Sequence, residues 1–82
     1  MVTTLDKILA REIEHARQLQ ARLAGQLAGF EERYGLESAD FYARYESGEM
    51  GDAVDFVEWS AMVEMLVDAK ERLALLEKAP GS

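Results

Sequence analysis

Residues 4–36 read TLDKILAREIEHARQLQARLAGQLAGFEERYGL, and the fold is decided here. Apolar residues fall at Leu5, Ile8, Leu9, Ile13, Ala16, Leu19, Leu23, Leu27, Phe30 and Tyr34, mostly three or four apart. That spacing stacks them on one stripe of a 3.6-residue helix. Thr3 or Thr4 is placed to cap its start, and Gly35 to end it in the left-handed conformation, with Leu36 folding back on the last turn. One helix over residues 4–34 is predicted, roughly 45 Å long at the helical rise per residue. A compact chain of 82 residues needs no element of that length. A rod this long wants a partner along it, because short-range propensity stabilises helices less than a packed face does.

Downstream, Ser38 reads as a cap, Asp40 as an acid in the first turn and Gly48 as a stop, which gives a short helix over 38–47. Phe41 and Tyr45 share one of its faces, with Tyr42 beside them. Glu49-Met50-Gly51 is a tight connection, and Asp52 is the expected cap of the next helix, with Asp55 at its third position. That helix is predicted over 53–78, ahead of a tail at 79–82. Phe56, Trp59, Met62 or Val63, Leu66, Ala69, Leu73 and Leu76 form a heptad-like seam, flanked by Val54, Val57, Ala61 and Met65. The expected architecture is a single all-α domain over residues 1–82. It is an antiparallel hairpin of two long helices with a short connecting helix, assembling as a dimeric helical bundle that covers the wide apolar face.

Composition narrows the function classes. The chain has 9 Lys and Arg against 16 Asp and Glu, no cysteine, and 49% apolar residues. Disulfides are excluded, disorder is disfavoured, and direct nucleic-acid contact lacks the clustered cations it requires. No apolar run approaches the roughly 18 residues of a membrane span. Met1 to Lys7 carries no basic-then-apolar export pattern. A reduced, cytoplasmic setting away from membranes is expected.

The acidity is concentrated in the middle of the chain. Residues 31–68 hold eleven acids and two basic residues, whereas both flanks carry a small positive excess. Glu46, Glu49, Asp52, Asp55 and Glu58 recur every third residue. A calcium loop ending at Glu58 would start at Ser47 and need Gly where Asp52 stands; a di-metal bundle needs Glu-x-x-His pairs, and the single His15 lies elsewhere. No metal or cofactor is therefore expected. The acids read as solvated helix ends or as a contact for a basic partner. His15 has no companions for catalysis, there is no Cys, and no Ser has a His in its own segment, so no enzyme is expected.

Two further clusters bear on association. Ala21, Gly25 and Gly29 repeat at four and line one face. A helical Gly costs about 1 kcal/mol relative to Ala, which suggests a close backbone approach, against the third helix or a second copy. The aromatic set Tyr34, Phe41, Tyr42, Tyr45, Phe56 and Trp59 falls within 26 residues. Most of it reads as core at the hairpin end, and one or two members as exposed anchors ringed by carboxylates.

Glu32-Arg33-Tyr34-Gly35-Leu36, Phe41-Tyr42, Tyr45, Gly48-Glu49-Met50-Gly51-Asp52, Asp55 and Trp59-Ser60-Ala61 together resemble a pattern of small bacterial and archaeal helical proteins. In that group the pattern runs Tyr-Gly, Phe, Gly-x-x-x-Asp, Trp, and its members are thought to act as antitoxin-like partners of neighbouring toxins. The resemblance covers residues 31–66 and implies neutralisation of a basic toxin by direct binding. Glu49, Asp52, Asp55 and Glu58 would supply charge, and Tyr42, Tyr45 or Trp59 the anchors. The competing reading is a self-associating structural bundle without a toxin partner. In it Ala21, Gly25, Gly29, Leu66 and Leu73 form the homo-oligomer interface, Trp59 meets its equal across a two-fold axis, and the acids face water.

Overall fold

A computed structural model describes residues 3–78 of the chain. Helix α1 spans Thr4–Tyr34, α2 Ser38–Glu46 and α3 Val54–Glu77, and the described residues contain no strand. Helix α1 opens with a capping box in which the Thr3 hydroxyl accepts from the Asp6 N–H at 3.1 Å and the Asp6 carboxylate accepts from the Thr3 N–H at 3.2 Å. It closes at Gly35, whose φ of 65° is open to glycine at little cost, and the Gly35 N–H donates to the Glu31 carbonyl at 2.8 Å.

The caps of α2 and α3 differ from expectation. Ser38 is the first residue inside α2 rather than its cap; Glu37 holds the cap position and its side chain makes no capping bond. The Ser38 hydroxyl instead accepts the Trp59 indole N–H at 3.0 Å, which a buried indole requires. The capping acceptor comes from α1, where the Glu31 carboxylate receives the Ser38 N–H at 2.7 Å. Asp52 does not cap α3 either. That helix starts one residue later, with Ala53 at the cap position making no side-chain bond, so Asp52 lies a step too far out to reach the first turn. Asp55 falls at the second helical position and turns towards α1.

Helices α1 and α3 lie antiparallel. Arg33 and Tyr34 sit beside Asp55 and Phe56 at one end, and Arg17 meets Glu77 at 2.9 Å towards the other. Glu12 and Ala16 still share a groove with Ala69 and Arg72, and only further towards the start of α1 are Leu5 and Ile8 70% and 51% exposed. The molecule is a rod of 54 × 21 × 17 Å with a radius of gyration of 16.3 Å. A compact chain of this length has a radius near 12 Å.

The core is concentrated where all three helices meet. Trp59 and Phe41 are wholly buried and stack with centroids 3.8 Å apart and planes at 2°. Phe30 lies near-parallel to the same indole at 5.5 Å. Leu27 completes the buried cluster, and Leu36, Tyr42, Tyr45, Met50, Phe56, Met62, Val63 and Leu66 pack around it. Below it the hairpin is held by a thinner seam of Ala16, Leu23 and Ala69. Every position expected on the α3 seam is buried or half-buried, Leu66 and Leu73 included, whereas Val54, Val57, Ala61 and Met65 are exposed. The small-residue face does not supply the intrachain approach expected of it. Ala21, Gly25 and Gly29 are all exposed, and a Cβ built on either glycine meets nothing within 4 Å.

Candidate partner-binding surface

The three-residue acid ladder divides into parts with different surroundings. Glu46 ends α2, Glu49 and Asp52 stand on the connection, and all three are exposed. Asp55 is half-buried and already engaged: it accepts the Arg33 guanidinium at 2.8 Å and the Tyr34 hydroxyl. Those two hydrogen bonds, the tyrosine's first, hold the Asp55 carboxyl below its ordinary pKa. In return the Asp55 carboxylate raises the pKa of the Tyr34 phenol and that of the Arg33 guanidinium. Asp55 thus clamps the two long helices together and is not a free recognition charge. Glu58 is exposed but lies round the side of α3, four residues from Met62.

Of the expected anchors, Trp59 is the central core residue, with no surface to offer a partner. Three aromatic neighbours and the bond to Ser38 fully occupy it. Tyr42 and Tyr45 are half-buried on α2, with Tyr45 tilted against Phe41 at 5.6 Å. Hydrogen bonding to Glu46, one turn on, pushes the Tyr42 phenol up to about 12, with partial burial adding to the shift. The structure therefore brings together Glu46, Glu49 and Asp52 with Tyr42 and Tyr45 around the α2–α3 end. It separates them from Trp59, Asp55 and Glu58.

Arg33, Tyr34 and Glu31 are the site residues that sequence reasoning missed. The signal was the hairpin itself, because the end of α1 must lie beside the start of α3, where Tyr34 and Arg33 meet the only acid in the first turn of that helix.

A second surface runs along the hairpin. Grooves between α1 and α3 are lined by residues including Glu12, His15, Leu19, Met65, Asp68 and Arg72 at one level, and by Gln26, Gly29, Phe30, Arg33 and Met62 at the next. On α1 the positions 12, 15, 19, 26 and 33, and on α3 the positions 58, 62, 65, 69 and 72, advance by threes, fours and sevens, so each set forms one lengthwise line. Helix α2 packs on another side, where Tyr42 shares a groove with Val63 and Val67, and it leaves these two lines uncovered.

Among the described residues no three His, Cys, Asp or Glu side chains converge to hold a metal ion, and no helix is long and apolar enough to cross a membrane. Set against protein-family models, curated proteins and solved structures, the chain matches none of them.

Proposed function

We propose that the chain is a non-enzymatic protein-binding module whose acidic α2–α3 end engages a basic partner protein. The antitoxin-like case implied by the resemblance is the specific form of this reading. The observation that carries it is the trio Glu46, Glu49 and Asp52, exposed and without an ion-pair partner among the described residues, at the end where the buried Phe41–Trp59 stack joins α2 to α3. A charged surface fixed in advance loses little conformational freedom on binding, and its field raises the rate of encounter with a cation-rich cleft. Tyr42 and Tyr45 border it, and their half-exposed rings supply apolar contact at low entropic cost.

The test is co-expression with the product of the adjacent reading frame, followed by affinity measurement on the purified pair. A complex with a basic protein is expected, weakened at least about tenfold by E49K/D52K and by raising salt from about 50 to about 300 mM. A complex indifferent to both changes, or no complex at all, overturns the reading.

A further inference from the structure

We propose that the uncovered lengthwise face of the hairpin binds a second copy of this chain, docked antiparallel about a two-fold axis that passes beside Met65. The exposed Met65 at its centre and the order of charges along it carry the inference, independently of the acidic end. The chain exposes 6004 Å². A compact monomer of 9.2 kDa exposes about 4,900 Å², so the elongated chain carries an excess of about 1,000 Å² spread over its whole surface. At the middle of the face Met65 is 49% exposed, with Leu19 and Met62 half-buried beside it and the exposed Asp68 at the edge of the same groove.

The charges specify the occupant. On the α3 line Glu58 and Arg72 stand seven residues to either side of Met65, two helical turns each way. An axis crossing at Met65, perpendicular to the helices, sets each helix against its own equivalent running the other way. Glu58 then meets Arg72 of the second copy, and Arg72 meets Glu58. At the level of Met65, which shares a groove with Leu19, the same axis crosses α1 near Arg22, midway between Glu12 and Arg33. Those two form a second reciprocal pair. Arg33 holds Asp55 through one terminal nitrogen, leaving its remaining N–H groups for Glu12 of the second copy. Arg22, exposed near the axis, is long enough to turn its guanidinium to water. A face with positive and negative groups at mirrored distances from the central axis is complementary to itself. This arrangement differs from the interface expected from sequence: Leu66 and Leu73 pack within the chain, Ala21 and Gly25 lie outside the face, and only Gly29 borders it.

Sedimentation equilibrium at about 100 μM with circular dichroism as a check on folding tests the proposal. The chain is expected as a dimer. E58R and R72E should each weaken it at least about tenfold, and the double swap E58R/R72E should restore it. Glu58 and Arg72 of one chain lie four turns apart, roughly 21 Å, so restoration cannot arise within a protomer. The chain has no cysteine, which provides a second measurement that needs no charge change. Under air with a copper catalyst M65C is expected to form a disulfide-linked dimer, and V57C, on another side of α3, to stay uncross-linked. A monomer at that concentration, a dimer blind to both single reversals, a double swap as weak as the singles, or M65C that does not cross-link would each overturn the proposal.

Discussion

The two ends of the hairpin are built on different principles. At the α2 end three helices converge on wholly buried Trp59 and Phe41, Ser38 ties α2 to its neighbours by donating its N–H to Glu31 and accepting the Trp59 indole N–H, and Asp55 clamps α1 to α3. At the other end two helices touch through Ala16, Ala69 and an exposed Arg17–Glu77 pair, and beyond that point α1 continues with Leu5 and Ile8 exposed. Each aromatic side chain removes several times more apolar surface from water than an alanine does, so stability per residue falls steeply along the rod. Regions poor in buried contacts open first, and the open end is where local unfolding is expected to begin.

The most decisive way to break this comparison is W59A. It removes the ring that Phe41, Phe30 and Tyr34 pack against and should cost about 3–5 kcal/mol, enough to unfold much of a small domain at room temperature. At the other end L9A, in a half-buried position two turns into α1, should cost no more than about 1 kcal/mol. Urea unfolding followed by far-UV dichroism reads both. Equal losses would mean that the two ends contribute alike.

Two helix caps sharpen the contrast, because they place similar bonds in different surroundings. E31A removes the acceptor of the Ser38 N–H, where α2 enters the core, and should lower global stability by about 1 kcal/mol while E31Q retains most of it. T3A removes the Thr3–Asp6 box at the free end of α1. Its expected effect is local: amide exchange should accelerate over the first two turns with little movement of the urea midpoint. A global loss from T3A equal to that from E31A would show the free end to be packed.

Much of this organisation was legible in the sequence, and the exceptions share a cause. Apolar periodicity placed α1 at its observed bounds and α3 within one residue at each end, because a long stripe at 3.6 spacing admits no other element. Gly35 was readable for the same local reason. Ser38, Asp52, Asp55 and Trp59 were each assigned by what their residue types do near a helix end or at an interface, and each is used otherwise because of a residue 15 or more positions away or a helix start shifted by one. The indole needs the Ser38 hydroxyl, and Arg33 with Tyr34 recruits Asp55. Local rules cannot see a partner that arrives only when the hairpin closes.

Between the two ends, Gly25 gives a smaller effect of opposite sign. Nothing lies within 4 Å of an added Cβ, and the position is helical and exposed, so G25A should raise stability by about 0.5–1 kcal/mol. A destabilised G25A would reveal a close backbone approach by another chain, which the Met65-centred dimer does not make at this position.

The finest test concerns the clamp that distinguishes the closed end, and it is read through pH. Asp55 has a folded pKa below its ordinary value, so its contribution is complete above the unfolded carboxyl range and is lost as pH falls through the folded value. Tyr34 is shifted upward, so its share is complete below the ordinary tyrosine range and is lost as pH rises through the folded value. D55N removes the charge behind both shifts. The melting temperature of the native chain should exceed that of D55N by a constant margin from about pH 6 to about pH 9, a window clear of both groups, and the margin should shrink towards acid as Asp55 itself protonates. A margin that survives undiminished to about pH 2 would show that Asp55 acts through shape and not through charge. Tyr42 provides the alkaline counterpart on α2: with its phenol at about 12, Y42F should delete the component of tyrosinate absorbance that titrates there. Since Glu46 causes most of that shift, E46Q should move the same component to lower pH while leaving the Asp55 margin untouched.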